Sequence, residues 1–415
     1  GEKLMGMARK AEDSLITLFT PGMLFEGLGF HYIGPIDGHD VKGLIETLGT
    51  LKDLEGPVLL HVLTKKGKGY APAERDPSTF HGLGPFDKET GAVPKSTKTS
   101  YTNIFSYALL DIAEKNEKVV AITAAMPGGT GLTKFEERYP DRFFDVGIAE
   151  QHAITFAAGL SKAGYMPVCA IYSTFLQRAY DEVVHDICID KLPIVIAIDR
   201  AGIVGADGPT HHGIFDIAFL RSLPNMVVTA PKDDDELRNM LYSATKYALP
   251  TSVRYPRGTV SGEGIRGPFK KIPLGKAELL KKGSDLTIIA LGTMVGEALK
   301  AAMKLEALGI NAGVLNARFV KPMDEEMVLA EAVRTGRILT IEEGSLQGGF
   351  GSAVLEVLEK RGAHAIVKRL GIPDSFVEHG TQAELLAELG LDAAGIERAA
   401  IELAGLDEAE HKVAN

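Results

Sequence analysis

Asp145-Val146-Gly147-Ile148-Ala149-Glu150-Gln151-His152-Ala153 is the stretch that decides how this chain is read. The residues that lead into it, Arg142-Phe143-Phe144-Asp145-Val146, are β-branched and aromatic and predict a short strand. Gly147 breaks that strand, and the Ala-rich run from Ala149 to Lys162 predicts a helix that stops at Gly164. Glu150 then stands in the first turn of a helix at the carboxyl end of a strand, where open α/β sheets bind their ligands. A carboxylate there has a plainer explanation as well, because acidic residues favour helix N-termini by roughly 0.3–1 kcal/mol. Taken alone, the local pattern favours the plainer one.

Outward from this stretch, residues 100–265 alternate strand and helix. Lys118–Ala124, Phe143–Val146, Met166–Tyr172, Leu192–Ile198 and Met226–Thr229 are the predicted strands. Alternating βα units predict an α/β fold with a parallel, doubly wound sheet. A Gly/Lys-rich linker at 261–283 follows, and the pattern restarts over 284–410 as a second doubly wound domain. Its strands are expected at Asp285–Leu291, Ala312–Asn316, Arg337–Ile341 and Ala365–Leu370. Val295, Leu299, Ala302 and Leu305 fall on one face of the helix after the first of these. Residues 1–95 are different, with too little regular pattern for a complete domain. Asp40–Leu51 predicts a helix, Pro57–Thr64 a buried strand, and Lys65-Lys66-Gly67-Lys68-Gly69-Tyr70 opens a long loop that runs to Pro94. The opening Gly1-Glu2-Lys3-Leu4-Met5-Gly6 reads as a chain entered partway through a domain, so 1–95 is expected to be the remnant of a third.

The 415 residues suggest two or three domains at about 150 residues each. Hydrophobic and charged contents of 45 % and 24 % are ordinary for a globular protein. A net charge of −10 argues against a nucleic-acid surface, and no apolar run is long enough to predict a membrane span. Cys169 and Cys188 lie in apolar surroundings and read as core residues, which makes a reducing cytoplasm the expected location.

Several polar clusters fall at predicted strand ends of the middle segment. They are Tyr172–Arg178, Asp199–Gly202, the Gly205–Gly213 loop with His211 and His212, and Arg254–Gly258. Each one alone is a weak signal: an Arg after a strand is usually solvated, and a Gly/Pro loop with paired histidines is turn chemistry first. Together on one sheet edge they suit a small phosphorylated or carboxylated substrate, because Arg grips such anions bidentately.

Their order and wording, together with Asp37-Gly38-His39-Asp40, Thr64–Tyr70, Phe80-His81-Gly82 and Glu342–Gly351, resemble the 1-deoxy-D-xylulose-5-phosphate synthase family. These are thiamine-diphosphate enzymes of the transketolase class, and the resemblance runs from about residue 1 to 400. It implies decarboxylative condensation of pyruvate with glyceraldehyde 3-phosphate to 1-deoxy-D-xylulose 5-phosphate and carbon dioxide. That product feeds isoprenoid and thiamine synthesis. A homodimer, a pyrimidine-binding domain at 100–265 and a small C-terminal domain are implied too.

The same resemblance assigns residues. Glu150 would touch the pyrimidine ring of the cofactor and hold or share a proton with it. Phe175 would stack on that ring, or else be an ordinary core aromatic. Ile148 and Met126 would wedge the bent cofactor, with core packing at least as good a reading of Met126. Lys66 would lie near the diphosphate, or else be a lysine of a solvated turn. His81 and His211 would move protons at the reacting carbon, with His212 structural. Tyr172, Arg178, Arg200, Asp207 and Arg257 would form the acceptor pocket. Gly348-Gly349-Phe350-Gly351 opens a helix and could be taken for a phosphate loop, but a plain tight turn is the favoured reading.

The resemblance departs at the metal. The family holds magnesium through a Gly-Asp-Gly stretch, and this chain has none. A non-catalytic fragment or split subunit that needs a partner chain is therefore an alternative. A transketolase or the β-subunit of a 2-oxoacid dehydrogenase is another.

Overall fold

The computed structural model describes residues 22–81, 84–94, 98–260 and 267–405. The opening Gly1–Gly6, Gly82, residues 261–266 of the linker and everything after 405 lie outside the described residues. The chain divides into two compact units, Gly1–Ser96 and Thr97–Asn415.

The first unit pairs two parallel strands, β1 (His31–Asp37) and β2 (Val58–Leu63), through the helix Val41–Leu51. Asp40 caps that helix by accepting the Gly43 N–H. β1 escapes a pattern search because Gly34 and Pro35 interrupt it. β2 is a strand but not the buried one expected: its residues are half-buried or exposed, since a two-stranded sheet leaves faces uncovered. The expected long loop is partly organised, with a short helix at Ala71–Arg75 and the rings of Tyr70, Phe80 and Phe86 packed 5.3–5.9 Å apart.

In the second unit the strands are β3 (Val119–Thr123), β4 (Phe143–Asp145), β5 (Met166–Tyr172), β6 (Val195–Asp199), β7 (Val227–Thr229) and β8 (Thr251–Arg254). They are followed by β9 (Glu278–Lys281), β10 (Leu286–Ala290), β11 (Ala312–Asn316), β12 (Phe319–Lys321), β13 (Arg337–Ser345) and β14 (Ile366–Ile372). A seven-stranded sheet runs β12-β7-β8-β6-β5-β3-β4, and a five-stranded one runs β14-β13-β10-β11-β9. The expected α/β class with mostly parallel sheets is what the structure has. Two departures are antiparallel edges: β9 lies against β11, and β12 against β7. β12 also crosses the expected boundary, because it follows the linker in sequence yet completes the first sheet.

Alternation along the strands explains the layering. Val168 and Ala170 of β5 pack with Phe105, Leu109 and Leu241, from the helices Tyr101–Lys115 and Asp234–Ala244. Cys169 and Ile171 point to the other face, against Ala153, Ile154 and Ala157 of the helix Glu150–Lys162. Small residues on that helix allow close approach, near enough for the Cys169 thiol to reach the Ala153 carbonyl at 3.9 Å. The parallel strands bring their carboxyl ends to one edge of the sheet, which positions the site.

Candidate active site

Asp145, the last residue of β4, accepts the backbone N–H groups of Ala125 (2.7 Å) and Gly147 (3.0 Å). Those two residues have positive φ, 60° and 73°. A left-handed turn is uncommon at an alanine, and the Asp145 bond holds it there. The chain then enters the helix through Ala149, which offers no side-chain cap, and Glu150 turns inward. Glu150 is 2 % exposed, and its Oε2 has no hydrogen-bond partner among the described residues. Its ion pair is with Arg178 Nη1 at 3.5 Å, too long for a good hydrogen bond, and the Arg178 side chain is 55 % exposed. A buried carboxylate oxygen without a hydrogen bond costs about 1–3 kcal/mol or more, so Oε2 has acceptor capacity that a ligand's donor could take up.

Beside it stands a cluster of rings. Tyr172 ends β5, and Phe175 follows in the short helix Ser173–Leu176. Their planes lie 14° apart with centroids at 5.6 Å, and His211 meets Phe175 edge-on at 5.6 Å. The Arg200 guanidinium covers the Tyr172 ring at 3.9 Å. Arg200 Nη1 donates to the Gly129 carbonyl at 2.9 Å and pairs with Asp199 at 3.2 Å. Part of its fork is thus committed inside the protein. Gly129 is needed: a Cβ there would come within 2.2 Å of the Tyr172 hydroxyl. Burial pushes the Tyr172 phenol up to about 12. Burial also pushes the Asp199 carboxyl up to about 6, against the pull of Arg200 and of the Thr102 hydroxyl at 2.9 Å. Sequence reading placed Asp199 in a strand-end cluster without giving it a role, and it missed Thr102 and Gly129. The one signal available was Asp199, an acid at the end of a strand and next to an arginine.

The glycine-rich loop completes the edge. Arg257 and Asp207 form an exposed pair at 2.6 Å, and the Thr210 hydroxyl lies 2.9 Å from His211 Nδ1. His212 is buried. Its Nδ1 accepts the Val204 N–H at 3.0 Å, so the ring proton sits on Nε2 and donates to the Glu378 carbonyl at 3.3 Å. Burial holds its pKa below the usual histidine value, and both of its ring nitrogens are taken by backbone groups. Arg254 is not available to a ligand: it is buried and grips Asp216 through Nε at 2.8 Å and Nη2 at 3.3 Å.

Three family models match the chain. They are 1-deoxy-D-xylulose-5-phosphate synthase over residues 1–64, the transketolase pyrimidine-binding domain over 97–262 and the transketolase C-terminal domain over 275–396. A 1-deoxy-D-xylulose-5-phosphate synthase of Geobacter sulfurreducens is 58 % identical across 95 % of this chain and 63 % of its own length. The corresponding Heliobacterium modesticaldum protein is 55 % identical across 98 % and 63 %. The chain belongs to the 1-deoxy-D-xylulose-5-phosphate synthase family. It spans 63 % of the length of these curated relatives. Among solved structures, a chain described as a split gene transketolase, inactive β4 tetramer, is 34 % identical, with a TM-score of 0.66 over 74 % of this chain and 99 % of that one. Transketolase from Campylobacter jejuni shares the fold, with a TM-score of 0.62 at 18 % identity over 93 % of this chain and 70 % of its own. The higher identity to the synthases favours that reading over the transketolase alternative.

Residues singled out from the family resemblance fall in two groups. Glu150 with Arg178, and Tyr172 with Phe175, His211 and Arg200, are brought together. Asp207 and Arg257 pair with each other, and their charges reach Tyr172. Ile148 is 77 % exposed, which rules out core packing for it, while Met126 is half-buried. Lys66 and His81 belong to the first unit, where both are exposed. The Gly348–Gly351 turn is not a phosphate loop. The Phe350 and Gly351 N–H groups of its helix donate to the buried Glu342 carboxylate at 2.7 and 2.8 Å, so the anion site is filled from within.

Proposed function

We propose that this chain carries the aminopyrimidine side of a thiamine-diphosphate site. Through it the protein condenses pyruvate with glyceraldehyde 3-phosphate to 1-deoxy-D-xylulose 5-phosphate and carbon dioxide. One observation carries the reading: the buried Glu150 carboxylate has an unpaired oxygen at the strand-end edge. Family membership supplies the class of cofactor, and the residues present fit its ring. Glu150 offers an acceptor where a ring nitrogen would donate, and the stacked Tyr172 and Phe175 offer aromatic surface beside it.

When bound, thiamine diphosphate would supply an electron sink for the electron pair left on the former carbonyl carbon of pyruvate as carbon dioxide departs. The chain supplies orientation and proton handling. Glu150 holds a proton at the pyrimidine nitrogen. His211, fixed by Thr210 and the Phe175 edge, handles protons at the reacting carbon. Arg178, Arg200 and Arg257 supply positive charge for the acceptor's phosphate, with Asp207 orienting Arg257. Lys66 and His81 are assigned to the diphosphate and to proton transfer, and Ile148 and Met126 to the wedge, on the family resemblance.

Magnesium is expected with the diphosphate. No group of three or more His, Cys, Asp or Glu side chains among the described residues could hold a metal ion, so no step rests on it. The reading includes a cytoplasmic homodimer, for which the exposed Ile148 and the two buried free thiols, Cys169 and Cys188, are the support. No helix among the described residues is long and apolar enough to cross a membrane. The product would enter isoprenoid and thiamine synthesis.

Replacing Glu150 with Ala tests the assignment. Product formation, followed by mass spectrometry, should fall by about 10²–10⁴-fold, the usual worth of such a group. Thiamine-diphosphate binding by calorimetry should weaken while the circular dichroism stays unchanged. Near-normal product and unaltered cofactor affinity in that variant would overturn it.

A further inference from the structure

The loop that carries Asp207 and His211 hangs from a stem gripped by side chains that lie far along the chain. Gly202 and Gly213 close the stem, exchanging N–H and carbonyl bonds at 2.7 and 2.8 Å. The next residue, Ile203, has both backbone groups taken by side chains. Its N–H donates to Glu343 Oε1 at 2.6 Å, and its carbonyl accepts Gln382 Nε2 at 3.0 Å. A neighbouring strand would satisfy the same pair of groups, so two side chains replace a missing strand at this one position. The following N–H, on Val204, goes to His212, whose other nitrogen donates to the Glu378 carbonyl. Farther round, a Cβ on Gly205 would approach the Gly380 carbonyl and the Gln382 nitrogen to 3.1 Å, and one on Gly208 would strike the His379 ring. Every one of these outside contacts, Glu343, Glu378, His379, Gly380 and Gln382, comes from the segment that builds the five-stranded sheet or follows it.

Packing alone does not require this. Ile203 is already fully buried and belongs to the apolar cluster of the five-stranded sheet, and an apolar neighbour in place of Gln382 would seat it equally well. The polar clamp adds direction: it fixes the angle at which the stem leaves β6, and so where His211 and Asp207 stand.

We propose that Gln382 and Glu343 are positioning residues, through which the C-terminal segment sets the placement of the Asp207–His211 loop for the phosphorylated acceptor. This rests on the reading of that loop as serving the acceptor. Glu343 and Gln382 touch no reacting group themselves; they act through the backbone of Ile203.

The test uses the whole chain with Gln382→Ala, Glu343→Ala and the conservative Glu343→Gln, which keeps an oxygen for the Ile203 N–H. Hydrogen exchange, read by mass spectrometry, should accelerate about tenfold or more across residues 202–213 in the two alanine variants. Exchange in β10 and β11 should stay unchanged, and Glu343→Gln should restore protection of the loop. In turnover, KM for glyceraldehyde 3-phosphate should rise about tenfold in Gln382→Ala, with KM for pyruvate and thiamine-diphosphate affinity within twofold. Unchanged loop exchange would overturn the inference, as would acceleration spread evenly over the lobe or an equal rise in both KM values. Failure of the functional reading itself shows separately, as product formation that survives Glu150→Ala. Loop exchange decides the clamp in that case too.

Discussion

Glu342 and Glu343, buried where the five-stranded sheet meets the loop at 201–213, have both carboxylate oxygens engaged by the protein. Glu342 takes the N–H groups of Phe350 and Gly351, and Glu343 takes Ile203 N–H and, at 3.4 Å, the Thr293 hydroxyl. Glu150, buried just as deeply at the edge of the seven-stranded sheet, has an Oε2 without a hydrogen bond, approached only by Arg178 at 3.5 Å. Burial alone therefore does not distinguish these acids; Glu342 and Glu343 differ from Glu150 in how many of their oxygens the protein itself satisfies. At the joint the carboxylates replace missing backbone partners, while the edge carboxylate has only Arg178 within ion-pair distance.

Breaking the joint should show its structural character in stability. Arg254→Ala leaves Asp216 buried without its guanidinium, and losing one member of a buried pair costs about 3–5 kcal/mol. Urea unfolding should show that loss, and a change under 1 kcal/mol would mean that Asp216 finds other partners. Glu342→Gln comes next. Both of its oxygens accept N–H groups, and an amide turns one acceptor into a donor facing a donor. The expected loss is about 1–3 kcal/mol.

Glu343→Gln sharpens the contrast, since it keeps the acceptor for Ile203. Burial raises the Glu343 carboxyl from its ordinary 4.5 to about 7. The folded state thus holds the proton more tightly than the unfolded one. Stability from this group is full below about pH 4.5, falls as the pH rises towards about 7, and stays low above that. Removing the charge should leave stability unchanged near pH 4.5 and raise it by roughly 1–3 kcal/mol near pH 8, as a pH series of thermal unfolding would show. A gap that widened towards acid would reverse the assignment.

Much of this was legible in the chain. The strand at Phe143–Asp145, the break at Gly147 and the Glu150 helix follow from local chemistry, because each residue's preference agrees with its neighbours'. So do β5 and β11, whose bounds match expectation. The antiparallel edges were not legible. Phe319–Lys321 is three residues long, too short for a period, and its pairing depends on β7, some ninety residues earlier. In the site, strand ends drew attention to Glu150, Tyr172, Arg200 and His211, but only the family resemblance gave them roles. Nothing local could say that Arg254 would be spent on Asp216 while Arg178 stayed mostly exposed. Nor could spacing reveal the Glu343 and Gln382 grip on Ile203, whose partners lie 140 and 179 positions away.

The edge strand β12 has a consequence for anyone who would divide the chain. A piece ending at the linker would keep six strands of the seven-stranded sheet and leave β7 with bare N–H and carbonyl groups, an invitation to self-association. The remaining piece would lose the surface against which Phe319 is wholly buried. Unfolding of residues 98–405 should therefore be a single concerted event rather than two, and recombinant halves should be soluble only when made together.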